Sequence, residues 1–388
     1  MIVGLVGAGT MGAGIAQVCL HAGHEVLLYD VDHAAIERGR ARITDGLARL
    51  VAKDRLPADA PERLLSALRD AHTLEGLAAE SDLVIEAALE DMELKRTIFR
   101  ALGSGARAQT LLATNTSALS VTEIAAASGA ADRVLGMHFF NPAPVMPLVE
   151  VVAGDATSVA TLDAGTHFVE ELGKTAVVCR DAPGFIVNRV NRPFTLEALR
   201  MLESAEASIE QVDGAMTGAG YPMGPFALMD LVGIDVNYAV ARALYEAFDN
   251  AVRFRPSPIQ HQLVESGRLG RKTGDGFYRY SDGPPAPSDL FAGVGVGPPI
   301  EGGLPADEIV NRIELAIINE AYLAAGEGVA EAGDIDRAMK LGANHPRGPF
   351  ERAGELGLGA VIDRLAGYQA VFGERFRVAP LLWQIASI

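Results

Sequence analysis

Through the first 150 positions, short apolar runs alternate with stretches in which apolar residues recur every three to four places. Residues 2–6 (IVGLV), 25–30 (EVLLYD), 82–87 (DLVIEA), 110–114 (TLLAT) and 133–140 (RVLGMHFF) read as buried strands. Residues 11–22, 33–53, 91–102 and 120–128 read as the helices between them. Strands alternating with helices imply right-handed βαβ crossovers, and hence an α/β fold with a parallel, doubly wound sheet. A further extended run, Leu148 to Val152, follows a proline-rich turn.

The texture changes near residue 181. Residues 185–280 read as long amphipathic helices, broken by turns at 220–225 and 270–276. Residues 281–305 hold six prolines and six glycines in 25 positions, the composition of a linker. A helical pattern then resumes, and it repeats the earlier one. Ile186-Val187-Asn188-Arg189 matches Ile309-Val310-Asn311-Arg312 at an offset of 123, as do Glu197-Ala198 with Glu320-Ala321 and Asp213 with Asp336. Gly224-Pro225-Phe226 matches Gly348-Pro349-Phe350 at 124. The expected layout is an α/β domain (1–180), a helical domain (181–280), a linker (281–305) and a duplicate helical domain (306–388).

The chain has 388 residues, of which 33 are Lys or Arg and 50 Asp or Glu, a formal charge of −17. With 49% apolar and 21% charged residues it suits a folded protein rather than a disordered one. The acidic balance speaks against nucleic acid as a partner. Two cysteines, Cys19 and Cys179, with no CxxC or Cys/His cluster, argue against a metal site or disulfide framework. The first 24 residues are free of Asp, Glu, Lys and Arg, but five glycines within 2–20 fit neither a secretory leader nor a membrane span. A cytoplasmic location without membrane attachment is expected.

Gly7-Ala8-Gly9-Thr10-Met11-Gly12 is a GxGxxG placed after a strand and opening a helix. Gly7 suits a tight turn, Gly9 close approach of a pyrophosphate, and Gly12 close helix–strand contact, while the helix start at Thr10 and Met11 offers N–H groups to phosphate. Asp30 ends the second strand, 23 residues after Gly7, where a carboxylate accepts hydrogen bonds from a ribose diol. A carboxylate there disfavours a 2′-phosphate. These features make the sheet Rossmann-type and the expected cofactor NAD rather than NADP.

His138 lies near the end of the fifth strand, and strand C-termini in such sheets face the ligand crevice. A dehydrogenase acting on a secondary alcohol needs a base for the hydroxyl proton, and imidazole suits the task. Glu150, on the following run, could pair with His138 and stabilise it as imidazolium. A structural histidine is the alternative reading of this position.

The stretches GAGTMGAGIA (7–16), TNTSAL (114–119), HFFNPAPVMPLVEVV (138–152), DAPGFIVNRV (181–190), GYPMGPFALMDLVG (220–233) and GRKTGDGFYRY (270–280) resemble the 3-hydroxyacyl-CoA dehydrogenase family, in that family's order. The duplicated helical part resembles members with two C-terminal domains, 3-hydroxybutyryl-CoA dehydrogenases among them. The resemblance implies NAD-dependent interconversion of (S)-3-hydroxyacyl-CoA and 3-oxoacyl-CoA in fatty-acid β-oxidation or related acyl-CoA metabolism. It implies His138 as general base, Glu150 as its partner, Ser117 as donor to the reacting oxygen and Asn188 as a substrate contact. Glu90, Lys95, Asn115 and Asn141 fall where the family contacts the nicotinamide half of the cofactor.

Two departures stand out. Pro147 occupies a position where many relatives carry Lys, and Gly46 takes the place of a CoA-contacting Ser, which leaves Lys53 as the expected substrate contact there. Residues 38–55 nevertheless carry six basic and two acidic side chains, a local +4 suited to CoA despite the chain's overall charge. The rival readings are a dehydrogenase of a non-CoA hydroxy acid and a non-catalytic NAD-binding protein. Single-repeat relatives pair through their helical domains, so the duplicate could supply that contact internally and allow a monomer.

Overall fold

In a computed structural model of the chain, residues 1–281, 283–288 and 303–387 are described. Eight strands form one sheet: β1 (Ile2–Val6), β2 (Glu25–Tyr29), β3 (Leu68–Asp70), β4 (Leu83–Glu86), β5 (Leu111–Thr114), β6 (Val134–Phe139), β7 (Leu148–Ala153) and β8 (Thr175–Arg180). Their order is β3-β2-β1-β4-β5-β6-β7-β8. The first six run parallel, as expected. The last two strands depart from that direction: β7 is antiparallel to β6, and β8 is parallel to β7. The reason is length: the eight residues from Phe140 to Pro147 are too few for a crossover, which needs about a dozen or more.

Helices α1 (Thr10–His21), α2 (His33–Val51), α3 (Ala60–Ser66), α4 (Leu74–Glu80), α5 (Met92–Gly105), α6 (Val121–Ala127) and α7 (Val159–Glu171) join these strands. Both sheet faces are covered. Val3, Leu5, Ile15, Ile43 and Leu135 belong to one buried cluster; Val6, Leu27, Val84, Phe99 and Leu112 belong to the other. Burial on two faces explains why the strands read as continuous apolar runs rather than alternating ones.

The chain divides into two compact units, Met1–Phe185 and Ile186–Ile388. In the second, α8 (Val187–Val190), α9 (Arg192–Glu203), α10 (Ile209–Gly218), α11 (Pro225–Val232), α12 (Ile234–Ala247) and α13 (Pro258–Glu265) form a first helical copy. The order recurs in α14 (Ala306–Gly326), α15 (Ala332–Gly342), α16 (Pro349–Leu356), α17 (Leu358–Phe372) and α18 (Pro380–Ala386). Equivalent side chains do equivalent work. Asp213 accepts the Phe226 and Ala227 N–H groups at the start of α11, and Asp336 those of Phe350 and Glu351 at the start of α16.

The copies exchange buried ion pairs reciprocally. Arg189 Nε donates to Glu320 Oε1 at 2.7 Å, and Arg312 Nε, 123 positions later, to Glu197 Oε2 at 3.1 Å, where Glu197 in turn precedes Glu320 by 123. Phe248 lies beneath Arg189 and Phe372 beneath Arg312. When i meets j and the equivalent of j meets the equivalent of i, the arrangement is that of an isologous, two-fold interface, here within one chain. The two copies are therefore parts of one compact unit rather than bodies standing apart. Of the expected linker, Ala286–Pro287 pairs back on Tyr278–Arg279, α14 begins near the expected end, and residues 289–302 lie outside the described residues. Among the described residues no helix is long and apolar enough to cross a membrane.

Candidate active site

The turn between β1 and α1 is shaped for a ligand's close approach. Gly7 has φ +102°, and a Cβ there would lie 2.6 Å from the Ala87 carbonyl oxygen. A Cβ on Gly12 would collide with the Gly7 carbonyl oxygen, whereas at Gly9 it would meet only open space. Gly7 and Gly12 are thus fixed by packing, and Gly9 by what must approach from outside. The Asp30 carboxylate accepts the Ala8 N–H at 2.8 Å and the Asp32 N–H at 3.0 Å, which ties the end of β2 to this turn. Open backbone, the free helix start at Thr10 and Met11, and a carboxylate at the ribose position together fit a dinucleotide.

His138 and Glu150 are direct register partners across β6 and β7. Only the reversed direction of β7 makes them so. His138 Nδ1 lies 2.6 Å from Glu150 Oε2, with the imidazole 5% exposed and the carboxylate fully buried. Phe140 and Phe185 flank the ring at 4.5 and 5.9 Å between centroids. Asn115, at the end of β5, accepts the Phe139 N–H with its Oδ1 at 2.8 Å, so it locks the strand end that carries His138. Asn141 is exposed, and its bond to Pro142 is cis. Lys174, which sequence reasoning passed over, donates to the carbonyls of Ala143 and Met146 and so pins the β6–β7 turn.

Glu90 and Lys95 fall into a network rather than a solvated pair. Lys95 is 1% exposed; its Nζ lies 2.7 and 2.9 Å from the two oxygens of buried Glu86 and 3.4 Å from Glu90. Glu86 Oε2 also accepts the Thr114 hydroxyl at 2.7 Å. Glu90 Oε1 accepts the Thr116 hydroxyl and the N–H groups of Ser117 and Ala118. The Lys95 ammonium lies among carboxylates and holds Glu90, which holds the Ser117 loop. Glu86 was not singled out, because a carboxylate ending an apolar strand reads as a solvated strand end.

On α2, a Cβ at Gly46 would meet the end of the Gln17 side chain of α1, which would have to move aside. Glycine itself brings no side-chain contact to CoA at that position. Arg38 pairs with Asp32 and Arg40 with Asp70, whereas Arg42, Arg49, Lys53 and Arg55 stay exposed. Asn188 is half-buried on α8 of the second unit, and its counterpart Asn311 accepts from Arg364. Among the described residues no His, Cys, Asp and Glu cluster could hold a metal ion.

Two family models account for most of the chain. Residues 2–182 match the 3-hydroxyacyl-CoA dehydrogenase NAD binding domain, and residues 184–280 and 309–387 match the 3-hydroxyacyl-CoA dehydrogenase C-terminal domain. The chain belongs to the 3-hydroxyacyl-CoA dehydrogenase family. It is thus an oxidoreductase with that family's NAD-binding domain. A 3-hydroxyadipyl-CoA dehydrogenase of Escherichia coli K12 is 38% identical, over all of this chain and 97% of the relative. A 3-hydroxybutyryl-CoA dehydrogenase of Bradyrhizobium diazoefficiens is 42% identical over 74% of this chain and 97% of its own length. The crystal structure of 3-hydroxybutyryl-CoA dehydrogenase from Escherichia coli K12 superposes with TM-score 0.89 at 37% identity, covering all of this chain and 98% of that one.

Proposed function

We propose that the chain interconverts (S)-3-hydroxyacyl-CoA and 3-oxoacyl-CoA, with NAD preferred over NADP. The observation that carries this reading is the buried 2.6 Å pair of His138 Nδ1 and Glu150 Oε2, which commits one ring nitrogen and leaves Nε2 for a substrate proton. NAD, when bound at the glycine turn, supplies the acceptor for the hydride that C3 loses. During oxidation His138 takes the C3 hydroxyl proton at Nε2, and Glu150 stabilises the imidazolium so formed. In the reverse direction His138 returns that proton to the oxygen as the carbonyl is reduced. Ser117 donates to the same oxygen where negative charge develops, and Glu90 keeps its loop in place. Asn188 contacts the substrate, and the exposed basic face of α2, with Lys53 just beyond it, takes the phosphates of CoA.

Relatives named for 3-hydroxybutyryl-CoA and for 3-hydroxyadipyl-CoA support short acyl chains, one of them ending in a carboxylate. NADH consumption measured with acetoacetyl-CoA and with free acetoacetate tests the reading. His138→Gln is expected to lower kcat by about 10²- to 10⁴-fold, the usual worth of a positioned base. Equal rates on ester and free acid, or an undiminished His138→Gln, overturn it. NADPH used as readily as NADH removes the role given to Asp30.

A further inference from the structure

The interior of the first helical copy holds a cation without a counter-ion. Arg192 opens α9, is 6% exposed, and among the described residues no carboxylate pairs with it. Among the described residues its side chain makes one hydrogen bond, a long one from an Nη to the Asn237 carbonyl at 3.5 Å, and its Nε has no partner. Beside it, Gln260 is fully buried; its Nε2 donates to Asn237 Oδ1 at 2.8 Å, and its Oε1 is also unpartnered. Desolvation with nothing to offset it pushes the guanidinium down to about 10. An unpaired buried charge costs several kcal/mol, so a fold tolerates it only for a reason.

The second copy shows that the framework does not require it. At the equivalent positions Arg192 becomes Leu315, Asn237 becomes Val361 and Gln260 becomes Leu382, all three in that copy's apolar core and each 0% exposed. Thr195 and Ser257 likewise correspond to Ile318 and Ala379 of the same core. One copy closes its bundle with hydrocarbon; the other keeps five polar side chains at the same sites.

Arg192 lies four positions after Asn188. Asn191 lies between them, ending α8 and preceding α9 with φ −80° and ψ −8°, so the two are about one turn of chain apart. If Asn188 meets the acyl-CoA substrate, the guanidinium follows one turn of chain later, and a planar guanidinium is built for carboxylate.

We propose that Arg192, framed by Asn237 and Gln260, binds a terminal carboxylate on the acyl chain, so that the preferred substrate is a dicarboxylic 3-hydroxyacyl-CoA. This rests on the acyl-CoA dehydrogenase reading given above. The carboxylate supplies the missing counter-ion, and a plain acyl tail at the same place leaves the guanidinium buried and unpaired.

The test compares kcat/KM for 3-oxoadipyl-CoA with that for acetoacetyl-CoA, in wild type, Arg192→Leu and Arg192→Lys. Wild type is expected to favour the carboxylate-bearing ester. Arg192→Leu, which copies Leu315, is expected to lower the ratio about 10- to 100-fold, chiefly through KM, which is the loss of one or two charge-assisted hydrogen bonds. Arg192→Lys keeps the charge without the planar fork, and its ratio is expected to fall between. A wild type that favours acetoacetyl-CoA, or a ratio that neither substitution moves, overturns the assignment and leaves the dehydrogenase reading intact. Failure of the wild type on both esters defeats that reading instead.

Discussion

Lys95 and Arg192 are both buried cations, yet they are handled oppositely. Lys95 is enclosed by Glu86 and Glu90, and its removal leaves Glu86 as an uncompensated charge beneath the Ser117 loop. Lys95→Met is accordingly expected to cost about 3–5 kcal/mol of stability in urea unfolding, and a double variant that adds Glu86→Gln to recover most of it. Equal losses in the single and double variants speak against a coupled pair. Neither burial was legible in the sequence, because Lys and Arg on an amphipathic helix read as solvent-facing. His138 and Glu150 were legible for a different reason: both sit on strands, where a register of two and a short turn leave few ways to face each other. The glycine turn was legible because each of its glycines answers a separate steric demand.

Among the elements, α2 carries the clearest consequence. Its inner face is fixed by Ile36, Ile43 and Leu47, and Gly46 packs against the Gln17 side chain of α1. Its outer face leaves Arg42 and Arg49 exposed, seven residues and two turns apart. The double variant Arg42→Glu, Arg49→Glu is expected to raise KM for acetoacetyl-CoA about tenfold at low salt with kcat little changed, and the difference to shrink as salt is added. A KM that ignores both the substitutions and the salt would place CoA elsewhere. At this scale the sequence showed six of the strands but missed β3 and β8, and with them α3, α4 and the 13-residue α7. β3 is three residues, Leu-Arg-Asp, with a single apolar side chain, and β8 is a half-buried edge strand. Strand direction was hidden too, since β7 looks the same whichever way it runs and only the length of its connection decides.

At the scale of the molecule, the helical unit is a dimer interface written into one chain. We propose that the chain is a monomer on this account, and sedimentation at the mass of a single chain is the expected result; an obligate dimer built on this surface contradicts it. The pseudo-two-fold is close but not chemically exact. Tyr221 and His345 occupy equivalent positions 124 apart and pack edge to face at 5.0 Å; the Tyr221 hydroxyl points to Glu314 at 3.5 Å, while His345 Nε2 meets Asn191 Oδ1 at 2.8 Å. Burial holds His345 down to about 3, so it stays neutral in the fold. The unfolded chain takes up that proton near 6.5, so this contribution to stability is complete above pH 6.5 and is lost as pH falls toward 3. The slope expected from one proton is about 1.4 kcal/mol per pH unit. His345→Gln should flatten the pH dependence of the urea midpoint between 6.5 and 4, and a curve identical to wild type would show that another group sets it.

The same asymmetry changes what a mutation can do. In a true homodimer every interface substitution is made twice, and a residue near the axis must tolerate its own image. Here Tyr221 faces a histidine rather than a second tyrosine, and Arg192 has a leucine for its twin. Each half can therefore drift alone. One has become hydrocarbon filler and the other keeps a buried charge among polar side chains, a divergence that no pair of identical subunits can reach.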